Sequence, residues 1–184
     1  GAAPRGLLAQ VDPASGVATG WLPPVFVGGF RFNGVYEPPA LAVLDELDGE
    51  LFVGGSFSSA GGASRMNAAS LDVVTAAVKP WSPPGGYTAD RSYGVRAFET
   101  SAPSVAVGLF HPFVNGLLSL DPVSGAASPW PPQVSGVFAL ARHGARLVLG
   151  GGFGSIGGVP AASLGVLNDP SFPGLGVEAS VNRG

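Results

Sequence analysis

LVLGGGFGSIGG, residues 147–158, runs from an apolar segment straight into glycines, and Gly152, Gly154 and Gly157 satisfy G-x-G-x-x-G. That is the spacing of a turn that holds a dinucleotide pyrophosphate. The same letters also suit a strand end followed by a tight inter-strand loop. Other parts of the chain decide between the two. LFVGGSFSSAGG at 51–62 aligns with it at an offset of 96, and a worn copy, VAVGLF at 105–110, lies between them. In the 51–62 copy Ser56 and Ser58 stand where Gly152 and Gly154 do, so the dinucleotide pattern is gone while the loop persists. VPAASLGVL follows the later copy, with a proline and a strand-like run where a nucleotide site needs a helix N-terminus. The glycines therefore read as scaffold.

A second motif repeats more sharply. VDPASGVATGW (11–21), LDVVTAAVKPW (71–81) and LDPVSGAASPW (120–130) each place an aspartate nine positions before a tryptophan: Asp12 and Trp21, Asp72 and Trp81, Asp121 and Trp130. A fourth copy at 163–181 puts Asn168 in register with Asp72 and has no tryptophan. The unit is about 48 residues, read as four short strands; in the best copy these are LAVLDEL, ELFVGGSF, NAASLDV and AAVKPW. No segment carries a sustained 3.6-residue apolar period, so helix is expected to be nearly absent. Four strands in a 40–50-residue repeat is the signature of a β-propeller blade.

Asp-Pro-x-Ser-Gly is turn chemistry, with Asp opening the turn, Pro pre-set at the second position and Gly free to take positive φ. The second copy has Ala76 where the glycine belongs, and a left-handed alanine costs about 1 kcal/mol. The three tryptophans are expected in equivalent, largely buried positions between neighbouring blades. A sugar-stacking platform is the alternative reading, and repetition at a fixed position favours packing.

The chain has 184 residues, enough for one core; 46% are hydrophobic and 11% charged, which excludes a disordered chain. Its nine cationic residues are scattered and the net charge is −3, so no basic stripe awaits a nucleic acid. No apolar run approaches the ~18 residues of a membrane-spanning helix. There is no cysteine, which excludes disulfides, thiolate zinc sites and cysteine nucleophiles. The opening GAAPRGLLAQ has neither Met nor a signal-like apolar region, and the repeat pattern favours a piece of a longer protein.

The order strand, V-G-G-x-F, I-G-G, strand, L-D-x-x-T/S-G, W-x-P resembles bacterial β-propeller repeats of the delta-60 type. LFVGGSFSSAGGASRMNAASLD, LVLGGGFGSIGGVP and the closing LNDPSFPGLGV carry the likeness, which covers most of residues 40–184. The resemblance implies tandem blades in a large secreted or surface protein (extracellular, periplasmic or at the cell surface). It implies no catalytic motif and no cofactor. The whole of 1–184 is then one all-β propeller region of three and a half to four blades: an outer half-blade at 6–24, an insertion at 25–39, a blade at 40–84, a second insertion at 85–93, and blades at 94–132 and 136–181. The insertions carry Phe30, Arg31, Phe32 and Tyr36, then Tyr87, Arg91 and Tyr93. Aromatic rings with arginine are what interface hot spots favour, which makes these loops candidates for binding a protein partner.

His111 and His143 fall in different blades, with no spacing that suggests a metal site. No G-x-S-x-G elbow occurs, and Asp45-Glu46-Leu47-Asp48-Gly49-Glu50 reads as a charged hairpin turn rather than a calcium loop. Two classes of function follow. The first is a non-catalytic structural or protein-interaction module of a larger assembly. The second is a glycan-binding or glycan-active propeller with its site at the mouth of the central channel. Inward-facing acids, arginine and tryptophan would favour the second, and an apolar channel the first; the inner strands favour the first. With three and a half blades these residues are expected not to close a ring alone, and to be insoluble or oligomeric by themselves.

Overall fold

The structure, a computed structural model, describes residues 6–32, 35–84, 94–110 and 115–172. It is all-β: the described residues contain no helix, and so none long and apolar enough to cross a membrane. β1 (Phe26–Val27) is followed by the hairpin of β2 (Phe30–Phe32) and β3 (Val35–Glu37). Three antiparallel meanders make up the body. The first joins β4 (Ala40–Leu47), β5 (Glu50–Ser56) and β8 (Ala68–Asp72), with a small hairpin of β6 (Ser59–Ala60) and β7 (Ala63–Ser64) between the last two. The second joins β9 (Val95–Ser101), β10 (Ser104–Leu109) and β11 (Leu117–Leu120). The third joins β12 (Val137–His143), β13 (Arg146–Gly151) and β16 (Leu164–Asn168), and carries the hairpin of β14 (Ser155–Ile156) and β15 (Val159–Pro160). No sheet closes on itself among the described residues.

The first two meanders keep three of the four expected strands, and the fourth shrinks to a single bridge, Leu71 to Val78 and Leu120 to Ala127. Pro80 and Pro129 end the pairing two residues later, because proline has no N–H for the ladder. The lone outer turn at the start makes the same bridge, Val11 to Ala18. Residues 173–181 of the last unit lie outside the described residues.

The paired glycines resolve the opening ambiguity. Gly61 and Gly62 have φ of 55° and 80°, and Gly157 and Gly158 have 56° and 81°. Two consecutive positive φ values make the two-residue turn that matches strand twist in a tight hairpin, here β6–β7 and β14–β15. Each hairpin is held from behind by the linker that follows a tryptophan: the Gly61 amide donates to the Val25 carbonyl at 2.9 Å, and Gly157 to Gln133 at 2.8 Å. The loop at 147–158 is a strand and a hairpin.

The three meanders stack face on face. On the forward face of the first, Phe52 and Ala68 meet Val95, Phe98, Val105 and Leu118 on the backward face of the second, with Trp81 between them. On the forward face of the second, Ala106 and Leu117 meet Val137, Leu147 and Leu149 on the backward face of the third. The middle and outer strands of the backward face of the first are covered by Phe26, Phe57 and Trp21 from the linker and the small hairpin, while Leu44 on its inner strand stays exposed. Burial at about 1.5–3 kcal/mol for each large apolar side chain makes these junctions the main source of cohesion.

Candidate functional site

The inner strands β4, β9 and β12 share one irregularity at one place. In β4 Leu41 pairs with Gly55 and Val43 with Gly54, so Ala42 is left over. In β9 Val95 pairs with Leu109 and Ala97 with Gly108, leaving Arg96. In β12 Val137 pairs with Gly151 and Ala139 with Gly150, leaving Phe138. A bulge of one residue bends the strand and re-aims the extra side chain. The three extra side chains, with Phe110 at the end of β10, line one open cavity of about 410 Å3. Room for the bulge comes from the partner strand: a Cβ on Gly55 would lie 2.1 Å from the Ala40 carbonyl oxygen, and one on Gly151 2.0 Å from that of Gly136.

Among the described residues the lining is apolar apart from one guanidinium. The rings of Phe110 and Phe138 lie 5.5 Å apart and tilted by 49°, and both are exposed. Gly152, first of the three glycines of the opening motif, lies under the Phe138 ring; a Cβ there would be 3.4 Å from Cε2. Arg96 is exposed beside them. Among the described residues no three His, Asp or Glu side chains come together as a metal-holding group.

Most other polar groups are engaged in the scaffold. In all three Asp turns the same oxygen is used. Asp12 Oδ1 accepts from the Ser15 amide and hydroxyl, both at 2.7 Å; Asp72 Oδ1 from those of Thr75 at 2.7 and 2.8 Å; Asp121 Oδ1 from those of Ser124 at 2.6 and 2.7 Å. These donors hold all three carboxyls below their ordinary value of 3.8, led by the Ser15 hydroxyl at Asp12 and by the Thr75 and Ser124 amides at Asp72 and Asp121. Carboxylates also bridge the sheets. Asp45 Oδ2 accepts from the Thr100 amide at 2.9 Å. One junction further on, Glu99 takes the place of Asp45 and Arg142 that of Thr100: Arg142 Nε donates to Glu99 Oε2 at 2.6 Å, while Nη2 lies 3.1 Å from Asp169 Oδ2. The guanidinium also lies 3.9 Å over the Phe172 ring. Ser101 and Ser171 hydroxyls donate to the same two carboxylates, at 2.5 Å each.

The candidates from sequence fall in several places. Trp81 is buried at 1% exposure, edge-on to Phe52 at 4.9 Å, and its Nε1 donates to the Asp121 carbonyl at 3.0 Å. Trp21 and Trp130 are half-buried, less deeply than Trp81. The cause is position: Trp81 is inserted between two sheets, whereas the other two pack at the margin of a cluster. Part of the 25–39 insertion is ordinary scaffold, since β1 pairs with β6 and Phe26 packs on Phe57 at 5.0 Å. Phe30, Arg31 and Phe32 form β2, whose side chains lie outside the description. Tyr36 is exposed on β3, with its hydroxyl accepting from the Gly29 amide at 3.2 Å. Tyr87, Arg91 and Tyr93 lie outside the described residues. The structure therefore does not bring these loop residues together into a described site. Sequence comparison passed over the bulge residues because Ala42, Arg96 and Phe138 share no chemistry. The available signal was a break in alternation, such as Ala97-Phe98 adjacent after Val95-Arg96.

No protein-family model matches the chain, and no curated protein or solved structure matches it significantly.

Proposed function

We propose that the chain is a non-catalytic structural and protein-interaction module, a run of β-propeller blades in a larger secreted or surface-associated assembly. In this reading each three-stranded meander with its single outer bridge is a blade, and β4, β9 and β12 line the central channel. The resemblance to delta-60-type repeats supports the reading, as do the stacking of sheet on sheet and the common bulge. The observation that carries it is the composition of the bulge cavity. Among the described residues two phenylalanines, an alanine and one arginine form this surface, apolar rings beside a guanidinium, the composition of a protein-contact hot spot. A glycosidase needs a pair of acidic groups; among the described residues Asp12, Asp72 and Asp121 are held in turns, and Asp45, Glu99 and Asp169 at sheet junctions.

A segment seated there would offer an apolar side chain to Phe110 and Phe138 and a carboxylate to Arg96. Selection from a random peptide library, beside a glycan array, tests this. The expected ligands are peptides with a carboxylate next to an apolar residue, whose binding falls at least tenfold in Arg96→Ala and in Phe138→Ala. Glycan binding lost in the same variants, with no peptide selected, would favour the carbohydrate-binding alternative.

A further inference from the structure

The stacking rule has two ends. Strand register makes Gly54, Gly108 and Gly150 equivalent, and likewise Ala68, Leu117 and Leu164. On the first two sheets the forward face is covered: Ala68 and Leu117 are both 0% exposed. On the third, Leu164 is 62% exposed. A Cβ on Gly54 would lie 2.5 Å from Val95 Cγ1, and one on Gly108 3.0 Å from Val137 Cγ1, each on the next sheet. On Gly150 the nearest atom is the Ala139 Cβ of its own sheet, 3.5 Å away. The opposite end is partly bare as well. Leu44, at the place of Phe98, is 47% exposed where Phe98 is 6%, and Leu41, at the place of the fully buried Val95 and Val137, is only half-buried.

We propose that the forward face of the third sheet docks on the backward face of the first sheet in a second copy of this chain, head to tail. The inference rests on the repeat reading above. Two internal junctions show what covers such a face, namely a backward face of the same repeat, and the first sheet still offers one. The charges agree: the bare forward face carries Arg146, and the facing surface carries Glu46 at the position of Arg142. Two copies supply six of the large three-stranded meanders, three from each chain, within the four to eight blades that close known propellers. A head-to-tail contact closes into a ring where the rotation allows. The register also names the meeting pair. As Gly54 meets Val95 and Gly108 meets Val137, Gly150 meets Leu41 of the second copy.

Light scattering on the full chain should give twice the single-chain mass of 18.3 kDa, and Leu164→Asp should return it to one. The chain has no cysteine of its own, so oxidative trapping is clean and does not depend on how that variant folds. Gly150→Cys combined with Leu41→Cys should form a disulfide-linked pair of chains, and neither single variant should do so. A wild-type chain of single mass overturns the proposal. So does a 150–41 disulfide formed within one chain, or cross-linking of the single variants as efficient as that of the double. If the internal contacts of Gly54 and Gly108 persist while the chain is a monomer, this inference fails and the repeat reading stands.

Discussion

Gly16, Ala76 and Gly125 hold one turn position with φ of 68°, 62° and 75°, and their substitutions should not behave alike. A Cβ on Gly16 meets nothing within 4 Å, so Gly16→Ala should cost only the left-handed strain, about 1 kcal/mol. On Gly125 the added carbon would lie 2.4 Å from the Ser82 carbonyl oxygen, backbone that cannot rotate aside. Gly125→Ala should therefore cost about 2 kcal/mol or more. Ala76→Gly relieves about 1 kcal/mol of strain and gives up about 0.8 kcal/mol of methyl burial, so it should change stability little. Urea midpoints of the three variants check this order. The aspartates that open these turns contribute to the loss of stability in acid. Their carboxyls are depressed in the folded chain by donors that the unfolded chain lacks. The stability they add is complete above the unfolded pKa and is lost as pH falls through the depressed folded values. Stability should be flat above about pH 5 and fall below about pH 4. Asp121→Asn should flatten that fall relative to wild type in urea titrations at each pH.

At the scale of elements, Trp81 and the Arg142 cluster hold neighbouring sheets together by different means. Trp81→Ala removes an indole inserted between two cores and should cost about 3–5 kcal/mol. Trp130→Ala, at a margin, should cost visibly less by the same denaturation measurement. Arg142→Met leaves Glu99 and Asp169 facing each other with side-chain exposures of only 11% and 1%, and should cost about 3–5 kcal/mol. If Arg142→Met unfolds at the wild-type urea midpoint, the cluster is not what couples the second and third sheets. The sequence made the Asp turns and the glycine loops legible because turn chemistry is local: one carboxylate, one hydroxyl, one residue at positive φ. It did not reveal that the fourth strand is a single bridge. AAVKPW has strand composition, and the effect of Pro80 depends on how far Leu71 and Val78 had already paired. Nor did it reveal the bulges, which are fixed by a register between two strands, so three unlike residues fill the same role.

For the whole molecule, the all-β architecture was readable from short apolar runs broken by glycine and proline. The way one sheet sits on the next was not, because each junction joins residues far apart in the chain, such as Asp45 with Thr100 and Glu99 with Arg142, which no local pattern pairs. Val95 and Val137 fill the same place over Gly54 and Gly108, and that shared contact is the central structural claim: successive units stack in one register. Nuclear Overhauser spectroscopy on methyl-labelled chain tests it most directly. The account predicts cross-peaks from the Gly54 Hα to a Val95 methyl and from the Gly108 Hα to a Val137 methyl, one for each junction. Glycine Hα protons that see only their own strands, with neither valine in range, would contradict it.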